Sequence, residues 1–407
     1  VIELLKDATY IRYYIACVVS FLGDAMTRIV LIYVVATLTR NPVVIALVVM
    51  AQLLPMGVLG AFIGPVIDRL PKRTLLIGSD LARLVIVLAM IPALDSVWLL
   101  LVLILLQGVG KTVFENARIA ALPLFVGGHS LPTAVALFQS TAHTLNLLGP
   151  ALGGVLVAVG SVPVVLVLDA STFVVSALLL GSLAVLKGAP VHREGGERYW
   201  QALRDGFRRV LAIPSLRFMS AFMVPIMLVF GLFTTNLNAQ LLTVFELPAE
   251  QYGFAQAVFG GGSVVAAMVG PAMLRRFSSF STALVASVAL FGATLVLLAP
   301  TEWVHADLGL VAVASWCALT GIGAGLFQVP AANTMLRDLP DDLRGRGIGL
   351  LNAIMTNFMV IGVALGGVTA SLWGVAVSIV VAGVFLVLAA AAFTASARRP
   401  RLSEVER

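Results

Sequence analysis

The chain has 407 residues, of which 60% are hydrophobic and 11% charged, with a mean hydropathy of +1.04 and a formal net charge of +6. Soluble domains sit at roughly 45–50% apolar and about 25% charged, so this composition excludes a soluble globular protein and points to a polytopic membrane protein. No hydrophilic stretch is long enough to form a separate soluble domain.

Apolar runs of about 20 residues, enough to cross ~30 Å of hydrocarbon as a helix, recur along the whole length. Breaks at charge, proline and glycine predict twelve helices, over residues 11–38, 43–66, 74–94, 97–118, 131–159, 162–186, 216–242, 251–274, 279–299, 307–334, 346–373 and 375–396. The first run is too long for a signal-peptide core and no small-residue cleavage site follows it, so it reads as a span of the mature chain. Cys17 and Cys317 fall in predicted spans far apart and read as packing residues with no metal or redox role.

Basic residues gather in alternate loops. With the N-terminus inside, the inner segments hold Lys6, Arg12, Arg69, Lys72, Arg73, Arg118, the run from Lys187 to Arg217, Arg275, Arg276, Arg337, Arg344, Arg346 and the tail from Arg398. The outer loops hold Arg40 alone among bases, with the acids Asp95, Glu246, Glu250, Glu302 and Asp307. This asymmetry predicts cytoplasmic termini and an even number of spans. It accounts for the positive charge as membrane topology and not as nucleic-acid binding. The segment 187–215 divides the chain into an N-terminal bundle, 1–186, and a C-terminal bundle with a basic tail, 216–407. Within it, Trp200, Leu203, Phe207 and Leu211 beside Arg204 and Arg208 suit a helix lying in the membrane interface.

The halves resemble each other. Gly108-Val109-Gly110 with Phe114 recurs 213 residues later as Gly321-Ile322-Gly323 with Phe327, and the same shift carries Gly149-Pro150-Ala151-Leu152-Gly153-Gly154 onto Gly362-Val363-Ala364-Leu365-Gly366-Gly367. A shift of 206 relates Gly64-Pro65 to Gly270-Pro271. Two parallel six-span halves imply alternating access around a site at their interface.

The stretch GPVIDRLPKR, 64–73, fits the pattern Gly-x3-Asp-Arg-x2-basic-basic, with Pro71 where a glycine is usual. It resembles the gate motif of the major facilitator superfamily. LGPALGG, 148–154, resembles the glycine-proline motif of the superfamily's exporters, and GGG at 260–262 is a candidate facing surface. FLGDAMTRIVL in the first span, ENARIAALP (115–123), LDASTF (168–173) and LRGRGIGL (343–350) resemble the macrolide-efflux and enterobactin-exporter branch of drug:proton antiporters. The resemblance covers essentially the whole chain. It implies an all-α integral membrane protein of twelve transmembrane helices in two pseudo-symmetric six-helix bundles. It assigns Gly64, Asp68, Arg69, Lys72 and Arg73 to an inner gate, with Arg118, Arg344 and Arg346 at neighbouring helix ends, and Gly149, Pro150, Gly153 and Gly154 to the exporter motif. Drug exporters often carry an arginine three residues before Gln-Gly in the fourth span. Here Ile104 holds that place before Gln107-Gly108, so that proton-relay group is missing.

Charges inside the spans are the remaining candidates. A charge at bilayer centre costs ~2.5–3.5 kcal/mol on insertion scales, so it faces protein or a wet cavity. Asp24 lies near mid-span, with Arg28 one turn further out on the same face as its predicted neutralising partner. Asp80 with Arg83, the group Lys111, Glu115 and Arg118, and Asp169 follow, all in the first half. Asp24 is the leading proton-coupling acid, Glu115 the second candidate and Arg28 the tuning cation. Asp80 and Arg83 read as a structural pair nearer the inner face. The second half offers amides instead: Asn236, Asn238, Gln240, Gln256, Gln328, Asn352 and Asn357. Gln139, His143 and Asn146 share one face of the fifth span, and the repeat shift maps the first two onto Asn352 and Thr356. With Asn236 and Gln240 they make up the predicted substrate cavity. Met223, Met227, Phe230 and Phe233 are either an adaptable apolar wall or plain helix packing.

The GKT at 110–112 is not a phosphate loop, because Leu105 stands where the pattern needs glycine. No zinc-protease pattern or Gly-x-Ser-x-Gly elbow is present, so no enzyme activity and no cofactor are expected. The resulting expectation is a monomeric, proton-coupled secondary exporter whose partners are a small amphipathic organic substrate, protons and membrane lipids. A lysophospholipid translocator or siderophore exporter on the same scaffold is the alternative, and a non-transporting receptor stands behind both.

Overall fold

The computed structural model describes residues 4–63, 67, 69–127, 130–187, 214–274, 280–338 and 344–397. The proposed interfacial helix, 198–213, lies outside the described residues. So do Gly64 and Asp68.

The chain folds into thirteen long helices among the described residues: α1 Ala8–Thr39, α2 Pro42–Phe62, α3 Lys72–Met90, α4 Val97–Ala121, α5 Leu131–Val159, α6 Val162–Gly181, α7 Pro214–Ala239, α8 Ala249–Leu274, α9 Phe280–Val296, α10 Leu298–Leu308, α11 Leu310–Asp338, α12 Arg344–Trp373 and α13 Val375–Ala397. Each predicted span corresponds to one of them, with two differences of substance. The ninth span is followed at once by α10, bent from it by 44°, so the stretch expected to be an outer loop around Glu302 is helical. The seventh continues past Ala239 as a π-helical turn, Gln240–Val244. Nine of the described helices are long and apolar enough to cross a membrane by themselves, and a tenth is reached if the bent pair counts as one. Helix α3 carries Lys72, Arg73, Asp80 and Arg83, and the last two are fully buried against its neighbours. Outward faces are apolar, with Val85, Leu178 and Met268 each more than 60% exposed, as lipid contact requires.

Local chemistry sets the starts. Asp7 caps α1 by accepting from the Thr9 and Tyr10 amides, and Asn41 caps α2 by accepting from Val43, with Pro42 in the first turn where no amide is needed.

The packing repeats. In the first half α1 packs on α5 and α6, α2 on α4, and α3 on α4 and α6. In the second, α7 packs on α12 and α13, α8 on α11, and α9 on α11 and α13. The halves meet along α2 with α12 and α5 with α8. The glycine patterns explain the match. A Cβ at Gly108 would meet Ala51 O of α2 at 3.0 Å, and one at Gly321 would meet Phe259 C of α8 at 2.8 Å. Gly110 admits Arg83 Cγ of α3 at 2.8 Å, and Gly323 admits Phe291 Cα of α9 at 2.9 Å. Equivalent glycines thus seat equivalent helices, and small residues let membrane helices approach closely.

Candidate functional site

Four helices of the first half bring their charges to one place. Arg83 of α3 is fully buried and donates from Nη1 to Asp24 Oδ2 of α1 at 2.9 Å and from Nη2 to Ser20 Oγ at 3.0 Å. Its Nη2 also donates to Asp80 Oδ1, one turn earlier on α3. The guanidinium lies between the rings of Phe114 and Phe173, 4.6 and 4.4 Å from their centroids, a stacking geometry that suits a weakly hydrated planar cation. Lys111 Nζ of α4 stands 3.5 Å from the same Asp24 oxygen, its side chain 37% exposed where Asp24 is 3%. Asp169 of α6 completes the group. It is fully buried and within hydrogen-bonding range of Thr172 Oγ1, at 3.5 Å. Gly23 makes this possible, because a Cβ there would occupy the place of the Asp169 carboxylate and the Thr172 hydroxyl. The FLGDAM and LDASTF stretches are therefore two sides of one contact.

The cluster holds three carboxylates, Asp24, Asp80 and Asp169, against two cations, Arg83 and Lys111. Two charges removed from water are tolerated when well paired, and a buried charge left over is costly. The most solvent-exposed member of the cluster is Lys111.

A second ion pair lies nearer the termini. Arg118 donates to Glu115 at 2.6 Å and rests over Phe21 and Phe138, 4.9 and 4.7 Å from the ring centroids. Tyr13 of α1 donates its hydroxyl to Arg118 O at 2.6 Å, tying α1 to α4.

Described contacts between the halves run from mid-span to the end away from the termini. Asn357 of α12 donates to Gly57 O of α2 at 2.9 Å. A Cβ at Gly154 of α5 would lie 2.9 Å from Gly253 Cα of α8, so the backbones touch there. Tyr33 of α1 stacks on Tyr252 of α8, centroids 6.4 Å apart. Tyr252 donates its hydroxyl to Asn238 Oδ1 at 2.6 Å, and Gln256 donates to the same oxygen at 2.6 Å. Outermost, Arg40 pairs with Glu246 at 2.7 Å.

The Major Facilitator Superfamily model matches residues 13–356 and 227–407. The chain belongs to this superfamily. Among its superfamily relatives, the uncharacterized MFS-type transporter YfiS of Bacillus subtilis is 25% identical over 91% of this chain and 88% of its own length. Macrolide efflux protein A of Streptococcus pyogenes is 20% identical over 88% of each chain. The enterobactin exporter EntS of Escherichia coli O1:K1 / APEC is 29% identical over 70% of this chain and 65% of its own. The nucleoside transporter NupG shares the fold with a TM-score of 0.71 at 14% identity, covering 95% of this chain and 99% of that one. The protein is thus a multi-pass membrane transporter of the major facilitator fold, with exporters among its relatives.

Several site residues sit differently from expectation. Asp24 forms no direct ion pair with Arg28, though Arg28 stays within its electrostatic reach. Its carboxylate turns to Arg83 and Lys111, because α3 and α4 bring two cations to the depth where α1 offers only one acid. Asp80 and Arg83, read as a separate structural pair, belong to the Asp24 cluster. Glu115 is occupied by Arg118. Asn236 and Gln240 are fully buried within the second half and line no shared cavity: Asn236 donates to Ser378 Oγ of α13 at 2.8 Å, and Gln240 to Glu302 Oε1 of α10 at 2.6 Å. A buried amide seeks partners, and the NH2 groups of these two find them inside their own bundle, while their carbonyl oxygens stay unpartnered. The amide seen to cross to the other half is Asn357, while Asn238 and Gln256 meet beside the interface residue Tyr252. Gln139 is exposed on α5 and Thr356 is half-buried on α12, its Cγ2 3.6 Å from where a Cβ at Gly57 would lie. The side chains of His143, Asn146, Asn352, Arg344 and Arg346 lie outside the described residues. Phe230 and Phe233 pack with Phe291, Phe327 and Trp316, the helix-packing alternative.

Of the superfamily gate residues, Arg73 donates to Gly181 O at the end of α6 at 2.5 Å, and Lys72 to Ile67 O. Cations at helix C-terminal carbonyls are favourable contacts. Arg69 is exposed and Arg118 is buried against Phe21 and Phe138. In the exporter motif, Gly149 and Gly153 abut Ala25 and Met26 of α1, and Gly154 reaches α8. Pro150 lies within α5, its carbonyl 2.7 Å from where a Cβ at Gly253 would stand.

Proposed function

We propose that this protein is a secondary active exporter of small amphipathic organic compounds, driven by proton antiport and working by rocking of its two halves. The observation that carries the reading is the cluster of three carboxylates and two cations around Arg83, one of whose members, Lys111, is partly exposed. In the described arrangement the Asp24 carboxylate faces both Arg83 and Lys111. When Lys111 swings away, Asp24 loses half its compensation and a proton becomes the cheaper partner. Lys111 returning displaces that proton. The Glu115–Arg118 pair is the second candidate, since α4 carries both it and Lys111. Export fits the relatives named for macrolide efflux and enterobactin export. The enterobactin relative favours a second reading of the cargo, a siderophore on the same scaffold. The reading places a monomer in a bacterial inner membrane with both termini cytoplasmic, so the Arg40–Glu246 end faces outward.

Proton movement on adding substrate to proteoliposomes tests it. Asp24→Asn should bind substrate yet lose substrate-driven proton flux, and Lys111→Gln should uncouple in part. Undiminished flux in Asp24→Asn would remove Asp24 from the role.

A further inference from the structure

Helices α3 and α4 leave a groove on the membrane-facing side of the first half. Its volume is about 410 Å³, and it runs between Thr74, Gly78, Ala82 and Ile86 of α3 and Leu106 and Val113 of α4. Three small residues on one face of α3 open it. A Cβ at Gly78 would meet nothing within 4 Å, and Thr74 and Ala82 are exposed one turn to either side. The floor is Ser79 and Gly110. Directly behind Gly110 lies Arg83, whose Cγ is 2.8 Å from where the missing Cβ would stand. The groove therefore crosses the back of the residue that gathers Asp24 and Asp80.

Length and charge say what fits there. From Thr74 to Ile86 the helix rises ~18 Å, a little over half of a ~30 Å hydrocarbon core. That is the depth of one leaflet. Drawn out over that length, the groove is about as wide as one extended hydrocarbon chain. A helix, about 10–12 Å across, is too thick to enter it, which argues against the span of a second copy. The groove opens at the first turn of α3, on the side of the termini. Pro71 precedes that turn, and no side chain caps its amides. Uncapped amides at the positive end of a helix dipole favour a phosphate. The turn leading in, 68–73, adds Arg69, Lys72 and Arg73 against the single acid Asp68. An apolar channel one leaflet long, with an anion-favouring end at headgroup level, is complementary to a phospholipid.

We infer that the α3–α4 groove is a binding site for one phospholipid, with an acyl chain lying over Gly110 behind Arg83 and the phosphate at the start of α3. The inference depends on neither the cargo nor the coupling ion. Photocrosslinking of the wild-type protein in nanodiscs tests it. The probes are a phosphatidylglycerol carrying a diazirine midway along one acyl chain and a diacylglycerol with the same chains and no phosphate. Adducts of the phospholipid should concentrate on Ala82 and Leu106, about tenfold above outward residues of other helices such as Leu178 and Met268. The diacylglycerol should label the groove no more than those. Gly78→Phe directs a ring into open space, so the lipid-free variant should keep the wild-type thermal midpoint and lose the enrichment. Adding phosphatidylglycerol to lipid-free protein should raise the midpoint of the wild type and not of the variant, as expected for a ligand of the folded state. Adducts spread evenly over all outward faces, or equal labelling of the groove by the diacylglycerol, would overturn the inference on the wild-type protein alone. A disulfide-linked dimer of Gly78→Cys in nanodiscs would overturn it as well, by placing a second copy in the groove.

Discussion

Arg83 is the residue on which the first half turns. It is fully buried, serves two carboxylates and a hydroxyl, and stacks between two aromatic rings. Removing one partner of such a network leaves its carboxylates buried and uncompensated, a loss of about 3–5 kcal/mol for a buried pair. Arg83→Ala should therefore lower the thermal midpoint of the purified protein sharply. Arg83→Lys, which keeps the charge and loses the planar fork, should fall between. Midpoints within a degree of wild type for both variants would mean that the cluster is not holding α1, α3 and α4 together. The sequence made Asp24 conspicuous, because an acid amid apolar neighbours stands out in any window. It also offered Arg28 as the partner, since helical spacing ranks only neighbours on one helix. The true partners are 59 and 87 positions away in sequence. Nothing local separates the two cases: Arg28 and Arg83 are each a single arginine in an apolar run.

At the scale of elements, the glycine-rich helices α5 and α12 each have a division of labour. Gly153 lies 2.9 Å, measured from the Cβ it lacks, from Met26 O of α1, and Gly366 lies 2.9 Å from Leu232 Cα of α7, contacts within one half. Gly154 and Gly367 face the other half, at Gly253 Cα of α8 and Val43 Cα of α2, at 2.9 and 3.2 Å. The two classes should fail differently. Gly366→Val overpacks one bundle and should cost about 1–3 kcal/mol in thermal stability. Gly154→Val should leave each bundle intact and prevent the halves from closing at that end. The signature is faster labelling of a Tyr33→Cys reporter by a membrane-impermeant thiol reagent, judged against the reporter in the wild-type background, where Cys17 and Cys317 are buried. Equal labelling rates would show that α5 and α8 do not need backbone contact to close. The repeat of 213 residues was visible in sequence, and so was the expectation of close helix approach. Which glycine of a pair faces inward and which crosses to the other half was not, because both sit in the same small-residue stripe.

For the whole molecule, the outermost contact joins equivalent places. Arg40 follows α1, Glu246 follows the π turn after α7, and the two are 206 positions apart, the same offset that relates Gly64-Pro65 to Gly270-Pro271. They are also the two non-glycine residues with positive φ among those described, at 49° and 50°. One turn of each half therefore presents its charge to the other across the pseudo-two-fold axis. Both side chains are more than half exposed, so the pair is worth at most ~1 kcal/mol and is screened by salt. That is the right size for a latch which must open in every cycle. Glu246→Arg should shift the balance toward opening at this end by no more than about fivefold, read by the same thiol-labelling rate. The double exchange Arg40→Glu with Glu246→Arg should restore it. A double variant no better than the single would show that the two turns do not act as a latch.

The sequence by itself determined how many times the chain runs through apolar depth, where most helices begin and end, and that the halves repeat. Those are local properties, set by transfer free energy over some twenty residues and by caps, prolines and glycines within a turn. Only the tertiary structure decided which charge meets which, and which amides turn inward to Ser378 and Glu302. A buried charge is stabilised by whatever stands within a few ångströms in three dimensions, and in a bundle of helices those neighbours come from segments that no stretch of sequence places side by side.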